Sequence, residues 1–223
     1  MRETLTAYGP LILSETVKTI YMMIFATLFS YILGLPMGIV LYSTREGHIL
    51  ENKPFNTVFS WVINILRSFP FIILTVVLIP TTRAIVGKAI GPTAAIFPLT
   101  VGAAPFVARM VQTSLEEIDK GVIEACQCMG ASPMTIITKV LISESFPSLI
   151  RGFAITAITL IGYIAIVGSL GAGGLGDIAI RYGYHRRVES VMWFAVVIII
   201  LIVCIIQAAF DRLAKKSDKR NIL

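Results

Sequence analysis

The chain alternates between long apolar segments and short polar intervals. Five segments approach the 20 or so apolar residues that a helix needs to cross the hydrocarbon core of a bilayer. They cover about 19–42, 58–80, 93–111, 153–170 and 191–210. The third is the least regular, because Pro98, Gly102 and Pro105 interrupt it, and the fifth is the most uniform. The pattern predicts an all-α, polytopic integral membrane protein with five transmembrane helices, organised as a single domain over residues 1–223.

The overall composition agrees with that class. Of the 223 residues 56% are hydrophobic and 14% are charged, and the mean hydropathy is +0.84. Such a chain is too apolar for a soluble domain with a charged surface. The apolar runs are continuous, whereas the strands of a membrane barrel alternate, so a β-barrel is disfavoured. The first apolar run is long and lacks a good cleavage site, and we expect it to remain as a helix rather than to be removed as a signal peptide.

The basic residues predict an orientation in the membrane. The net charge is +6, but these residues lie mainly in the polar intervals and at the C-terminus, which indicates topology rather than nucleic-acid binding. Five spans place the termini on opposite sides, and the positive-inside rule then makes the C-terminus cytoplasmic and the N-terminus external. This orientation puts 11 basic residues inside and 7 outside. It depends on the tail, which carries Arg212, Lys215, Lys216, Lys219 and Arg220, and the external Arg181, Arg186 and Arg187 argue mildly against it.

The longest polar interval, at about 113–148, has a helix–glycine–helix pattern. Ser114 followed by Glu117 is a capping-box pattern that predicts a helix start, and Gly130 is expected to end that helix. Ser132 and Pro133 suit the cap and the first position of a second short helix. The first helix has an apolar edge at helical spacing, which consists of Val122, Ile123, Cys126 and Met129. These features fit equally an amphipathic connector lying on the membrane and a docking element for a partner.

Polar and broken stretches inside the second to fourth spans predict a solute pathway. Arg67 lies about ten residues into its span, where a charge usually faces protein or water. A structural ion pair, or a cap on a neighbouring carbonyl, is the alternative role for this arginine. Pro70 breaks the backbone hydrogen bonding beside it. The pathway candidates are Arg67, Ser68, Phe69, Pro70, Gly102, Gly162 and Tyr163.

Other patterns are weaker, and several exclude enzyme chemistry. The glycine run at 168–176 is not followed by the lysine of a phosphate-binding loop, so a packing or re-entrant turn is expected there. Cys126 and Cys128 lack the further ligands of a metal site and are expected to be free thiols. Gly34 and Gly38 form a G-x-x-x-G pair, which suits either packing within the chain or a dimer seam. No hydrolase triad or metal-ligand cluster is evident in the sequence.

Four segments resemble the membrane subunit of methionine ABC importers. They are residues 67–71 (RSFPF), 124–134 (EACQCMGASPM), 168–177 (GSLGAGGLGD) and 181–184 (RYGY). Glu124, Ala125 and Gly130 match the loop by which such permeases hold their ATPase, and Cys126 replaces the second alanine of that motif. The later part of the motif is degraded, because Ser143 stands where proline is expected. With five spans, the resemblance covers nearly the whole chain.

The resemblance implies a type I ABC importer permease fold in the cell membrane, without catalysis by this chain. It implies a homodimer, two ATP-binding cassette ATPase subunits that hold ATP-Mg, and an extracytoplasmic methionine-binding protein, with lipid around the spans, no nucleic acid and no cofactor on this chain. The expected solute is D- and L-methionine, moving along the dimer axis. Alternatives are a permease for another small solute and, in a different class, a secondary transporter or channel, which would favour inverted repeats or paired acidic residues that are not visible. The ATPase-coupling residues are then Glu124, Ala125, Cys126, Met129, Gly130, Ala131, Ser132 and Pro133.

Overall fold

The computed structural model describes the backbone of residues 2–217 and the side chains from residue 7 onward, so Lys219 and Arg220 of the predicted basic tail lie outside the described residues. Within this range every regular element is helical, which confirms the all-α prediction. Three π-helical turns occur, at Ile136–Leu141, Gly168–Ala172 and Ala179–His185. The α-helices are α1 (Arg2–Ser43), α2 (Lys53–Ser68), α3 (Phe71–Val77), α4 (Ile79–Val86), α5 (Pro92–Glu116), α6 (Lys120–Cys128), α7 (Pro133–Thr135), α8 (Ile142–Val167), α9 (Leu175–Ile178) and α10 (Glu189–Ser217).

Five helical units account for the five apolar segments. Four are continuous and long and apolar enough to cross a membrane, at Ala7–Ser43, Pro92–Glu116, Pro133–Ala172 and Glu189–Ser217. The fifth is a broken unit, α2 and α3, whose axes meet at 96°. Phe69 adopts an extended conformation after α2, and Pro70, which has no N–H to continue the helix, precedes α3. The second predicted span is therefore a bent pair of helices rather than one straight rod.

Helix boundaries around the 113–148 interval differ from the sequence prediction. The predicted helix start at Ser114 is wrong, because α5 continues to Glu116 and the Ser114 hydroxyl accepts a hydrogen bond from Ser148 inside the fold. Asp119 caps α6 instead, by accepting a hydrogen bond from the Gly121 N–H at 2.7 Å. The helix predicted to begin at Pro133 is also not a short, separate helix. The helical path that begins at Pro133 runs through α7 and α8 to Ala172, at the end of the fourth span.

The central contact of the fold is between α1 and α5. A Cβ at Gly34 would lie 2.6 Å from the Val107 Cβ, and one at Gly38 would lie 2.5 Å from the Val111 Cβ. Only the absence of a side chain lets the two helices come so close. The G-x-x-x-G pair therefore packs within the chain, which was one of its two predicted roles. Around it, the buried side chains of α1, α5 and α8 form the core.

The two ends of the bundle are built differently. At one end the N-terminal part of α1 contacts the turn between α8 and α9, where Gly171, Gly173 and Gly174 have positive φ. At the opposite end, Arg45 after α1 forms a 2.7 Å ion pair with Glu116 at the end of α5. That end also carries α6. The predicted coupling element thus lies at the end of the bundle opposite the glycine run.

Candidate coupling and translocation sites

A rigid elbow connects α6 to α7. Gly130 has a φ of +76°, a left-handed conformation that residues with a side chain rarely adopt. The Gly130 N–H donates to the Gln127 carbonyl at 2.9 Å, and the Ala131 N–H donates to the Cys126 carbonyl at 3.0 Å. This is the hydrogen-bond pattern of a Schellman motif. The Ser132 side chain then accepts the Thr135 N–H, and Pro133 occupies the first turn of α7.

The two sides of α6 have different environments. Ile123 is buried in a cluster that includes Leu115, Ile136 and Leu141, and Cys126 and Ala131 pack against the same cluster. Val122 and Met129, by contrast, are 41% and 77% exposed. The apolar edge predicted from the sequence therefore divides into an inner part that anchors the helix and an outer part that is left uncovered. Glu124, Ala125, Gly130, Ser132 and Pro133 are exposed beside the outer part.

Three of the broken segments meet around one aromatic ring. The Phe71 ring stacks on Tyr163, with centroids 4.3 Å apart and ring planes at 10°. A Cβ at Gly102 would lie 3.0 Å from the same Phe71 ring. The structure thus joins α3, α5 and α8 through Phe71, a residue of the RSFPF segment that is not among the pathway candidates named from the sequence. Gly162 is exposed, and a Cβ there would meet nothing within 4 Å.

One face of α2 is uncovered at the depth of the apolar helices. Ile63 is its only fully buried residue among the described side chains, and Trp61 is 69% exposed. This face borders a cleft of 410 Å³. Its two polar side chains each make a hydrogen bond within the chain, Asn64 with Arg109 and Ser68 with the Asn64 carbonyl. The cleft is lined by Trp61, Asn64, Ile65, Ser68, Phe69 and Pro70.

Arg109 of α5 holds this face of α2 in place. Its Nη2 donates to the Asn64 Oδ1 at 2.9 Å, to the Ser60 carbonyl at 3.2 Å and to the Ser60 hydroxyl. Its Nη1 donates to the Gln112 Oε1 at 2.7 Å. The sequence analysis missed this residue as a site residue. Its position as a charge inside an apolar segment, which drew attention to Arg67, was the available signal.

The hydrogen bonds of Arg109 continue toward α6. Gln112 donates to the Glu116 Oε1 at 2.9 Å, and Arg45 donates to the same oxygen at 2.7 Å. A continuous chain of polar contacts therefore runs from α2 along α5 to the residues that directly precede α6. The candidate coupling element and the candidate pathway helix are linked through α5.

The opposite end of the bundle contains a second missed residue, Glu15. This buried carboxylate accepts the Gly174 N–H and forms a 2.7 Å ion pair with Lys18. Thr19 accepts the Leu175 N–H at 2.9 Å, so α1 holds the start of α9 through two side chains. Burial raises the pKa of Asp177 above its ordinary value, although its 2.7 Å ion pair with Arg181 acts in the opposite direction.

Neither the thiols nor the acidic groups form a metal centre in the part of the chain that is described. No group of three potential metal ligands is found over those residues. The three cysteines, Cys126, Cys128 and Cys204, are free thiols.

Known proteins that are similar to this chain are membrane permeases. The chain is 47% identical over 210 residues to the probable D-methionine transport system permease protein MetI of Vibrio cholerae, covering 94% of this chain and 93% of that protein. It is 48% identical over 181 residues to the methionine import system permease protein MetP of Bacillus subtilis, covering 81% and 82%.

Solved structures give the same result. A chain of the MetNI methionine ABC transporter, solved in inward-facing conformations, superposes with a TM-score of 0.93 at 46% identity, covering 95% of this chain and 98% of that chain. An amino acid ABC transporter shares the fold, with a TM-score of 0.71 at 21% identity. The resemblance found in the sequence to the permease subunits of methionine ABC importers is thereby confirmed. Residues 31–221 match the model of binding-protein-dependent transport system inner membrane components, and the chain belongs to that family of multi-pass membrane permeases.

Proposed function

We propose that this chain is the transmembrane subunit of an ATP-binding-cassette importer that carries D- and L-methionine across the cell membrane. ATP hydrolysis takes place on separate ATPase subunits, which hold ATP-Mg, and this chain binds no cofactor. The observation that carries the proposal is α6, a short helix fixed from within by Ile123 and ended by a hydrogen-bonded glycine elbow, with an uncovered apolar and acidic outer side. The names of the similar permeases support methionine as the solute.

The surface of α6 suits a moving protein partner. Isolated apolar side chains on a surface are ordinary, but Val122, Met129 and Met134 are exposed together around the elbow. Methionine adapts well to a partner's surface because its side chain is flexible and polarisable. The inner side of α6 packs against α5 and the start of the fourth span, so a displacement of α6 is transmitted to both.

The pathway is proposed to lie along the axis between two copies of this chain. The uncovered face of α2, which borders the cleft, is the surface proposed to meet the second copy. Two ATPase subunits complete the assembly at the α6 end, and an extracytoplasmic methionine-binding protein docks at the end that holds the glycine run. The N-terminus is external and the C-terminus cytoplasmic. Labelling of a single cysteine placed at Lys216 from outside intact cells would contradict this orientation.

The docking role is tested by Gly130→Pro and Glu124→Lys. Proline fixes φ near −65°, which is incompatible with the +76° of Gly130. Glu124 is exposed, so its charge reversal changes the outer side without disturbing the core. We expect both variants to insert in the membrane normally, while methionine uptake per ATP hydrolysed falls by about tenfold or more, the factor that a loss of about 1.4 kcal/mol in coupling would produce.

The matched control is Glu51→Lys, which reverses an exposed charge in the turn between α1 and α2. This variant should transport methionine as the unmodified chain does. Normal coupling in both α6 variants would remove α6 from the mechanism. Uptake of a different small solute in preference to methionine, with coupling still dependent on α6, would retain the permease and change only its substrate.

A further inference from the structure

An arginine without a partner lies on α2 beside the cleft, next to Ser68 and one turn after Asn64, which both line the cleft. Arg67 lies in the last turn of α2 and is exposed. Its side chain makes no hydrogen bond or ion pair with any residue over the described range 7–217. At 1.5 Å per residue it lies about 21 Å along the helix from Lys53, well inside the apolar thickness of the protein. A guanidinium at such depth is retained only when protein, water or an anion meets it.

Asn64 stands one turn before Arg67 and borders the cleft. Its Oδ1 already accepts a hydrogen bond from Arg109 at 2.9 Å. The Asn64 amide group is thereby fixed with its acceptor occupied, and its two N–H donors have no partner among the described residues. Arg109 is a positioning residue here, because its own guanidinium bonds Ser60, Asn64 and Gln112 rather than facing the cleft.

The local charge balance is positive. Arg67 and Glu116 are the two charged groups that act on Arg109. Glu116 is the acidic one of these two groups, and its Oε1 already accepts hydrogen bonds from Arg45 and Gln112. Among the described residues no carboxylate forms an ion pair with Arg67. An unpaired guanidinium therefore lies beside a cleft that itself offers the free Asn64 amide donors and apolar surface from Trp61, Ile65 and Phe69.

We propose that Arg67 and Asn64 form a station for the carboxylate of an amino acid on its way through the permease. Arg67 supplies a planar pair of N–H donors that matches a carboxylate, and the Asn64 amide donates a further hydrogen bond. The apolar wall takes the side chain of the solute, for which a thioether is well suited. This inference rests on the proposed function, because it assigns a place to the solute of that transport.

The test measures binding of radiolabelled L-methionine to the complex of this chain with its ATPase subunits in lipid nanodiscs, without binding protein. Methioninol, which has the same thioether but an alcohol in place of the carboxylate, is the competitor. We expect methioninol to compete at least tenfold less well than methionine. Arg67→Gln should weaken methionine binding about ten- to a hundredfold, the range expected for lost hydrogen bonds to a charged group, and should abolish the preference for methionine over methioninol.

The matched control is Arg83→Gln, because Arg83 is also an exposed arginine in the last turn of its helix but belongs to α4, which contributes no residue to the cleft. It should bind methionine normally. Asn64→Leu, which keeps the size of the side chain, should weaken binding by a smaller factor than Arg67→Gln. It also provides a second variant if the Arg67 substitution prevents assembly with the ATPase subunits, which size-exclusion chromatography detects.

Several results would overturn the proposal. They are equal methionine affinity in Arg67→Gln and Arg83→Gln, equal competition by methioninol and methionine, and the absence of saturable methionine binding. Inhibition of methionine binding by added phosphatidylglycerol, lost in Arg67→Gln, would assign Arg67 to a lipid phosphate instead. ATP-driven uptake by the unmodified complex, reconstituted in sealed vesicles with the methionine-binding protein supplied, separates the two hypotheses. Methionine uptake together with any of these results rejects only the station, whereas no methionine uptake rejects the proposed function.

Discussion

A single methyl group at Gly38 should disrupt the contact on which the bundle is built. An added Cβ would lie 2.5 Å from the Val111 Cβ and 2.6 Å from the Ala108 carbonyl oxygen. Ordinary contacts of a Cβ begin at 3.4 Å, so α1 and α5 would have to separate by about 0.9 Å. A gap of that size removes a quarter to a half of the dispersion energy of each contact that it opens.

The expected cost can be stated as a free energy. Overpacking of a tight interface costs about 1–3 kcal/mol, and the higher helix propensity of alanine returns at most about 1 kcal/mol. Gly38→Ala should therefore lower the free energy of unfolding by about 1–2 kcal/mol. SDS titration of the purified chain in mixed micelles, followed by tryptophan fluorescence, measures this quantity directly.

Gly162→Ala is the matched control, since a Cβ there would meet nothing within 4 Å. It adds the same methyl group to a helix of comparable depth and should leave stability unchanged or slightly raised. The reasoning would be refuted if Gly38→Ala were no more destabilising than Gly162→Ala. That result would mean that α1 and α5 are not in close contact at this position.

Three further predictions concern the two ends and the centre of the bundle. Glu15→Leu should speed amide hydrogen exchange at Gly174 by about tenfold or more, because a charge-assisted hydrogen bond is lost, and unchanged protection would show that α1 does not hold the turn. Gly102→Leu should displace the Phe71 ring and slow methionine uptake at least tenfold while ATPase binding persists; normal uptake would place the pathway elsewhere. Because the pKa of Asp177 is raised in the folded state, protonation of this carboxyl stabilises the fold below about pH 4. This stabilisation is lost as the pH rises through the raised pKa of the folded state. Asp177→Asn should therefore flatten the dependence of the unfolding free energy on pH over that window.

Part of the candidate site was accessible from the sequence alone. The elbow at Gly130 and the cap at Ser132 depend on local backbone chemistry, which acts over three or four residues and is therefore readable from the sequence. The docking role of α6 and the pathway roles of Arg67 to Pro70, Gly102, Gly162 and Tyr163 stay predictions. The structure adds the contacts that these predictions lacked, since Phe71 brings Gly102 and Tyr163 together across three helices.

The residues that were missed share a physical reason. Arg109 and Glu15 act on partners 45 and 159 positions away in sequence, Asn64 and Gly174. No local pattern encodes a contact of that range. Their type was informative nevertheless, because an ionisable residue on an apolar helix is a site hypothesis by default.

What the sequence by itself determined is the number and type of the apolar elements. Hydropathy over some 20 residues reports whether a segment prefers lipid to water, and a segment in lipid must satisfy its backbone as a helix. The family also followed from short motifs. Tertiary structure alone decided the 96° angle at the break that Pro70 predicts, the continuation of α5 to Glu116 and the joining of Pro133 to the fourth span. These features depend on which neighbouring helix hydrogen-bonds the unpaired backbone groups and packs against the side chains. Such contacts join segments that are distant in the chain, so no local pattern encodes them.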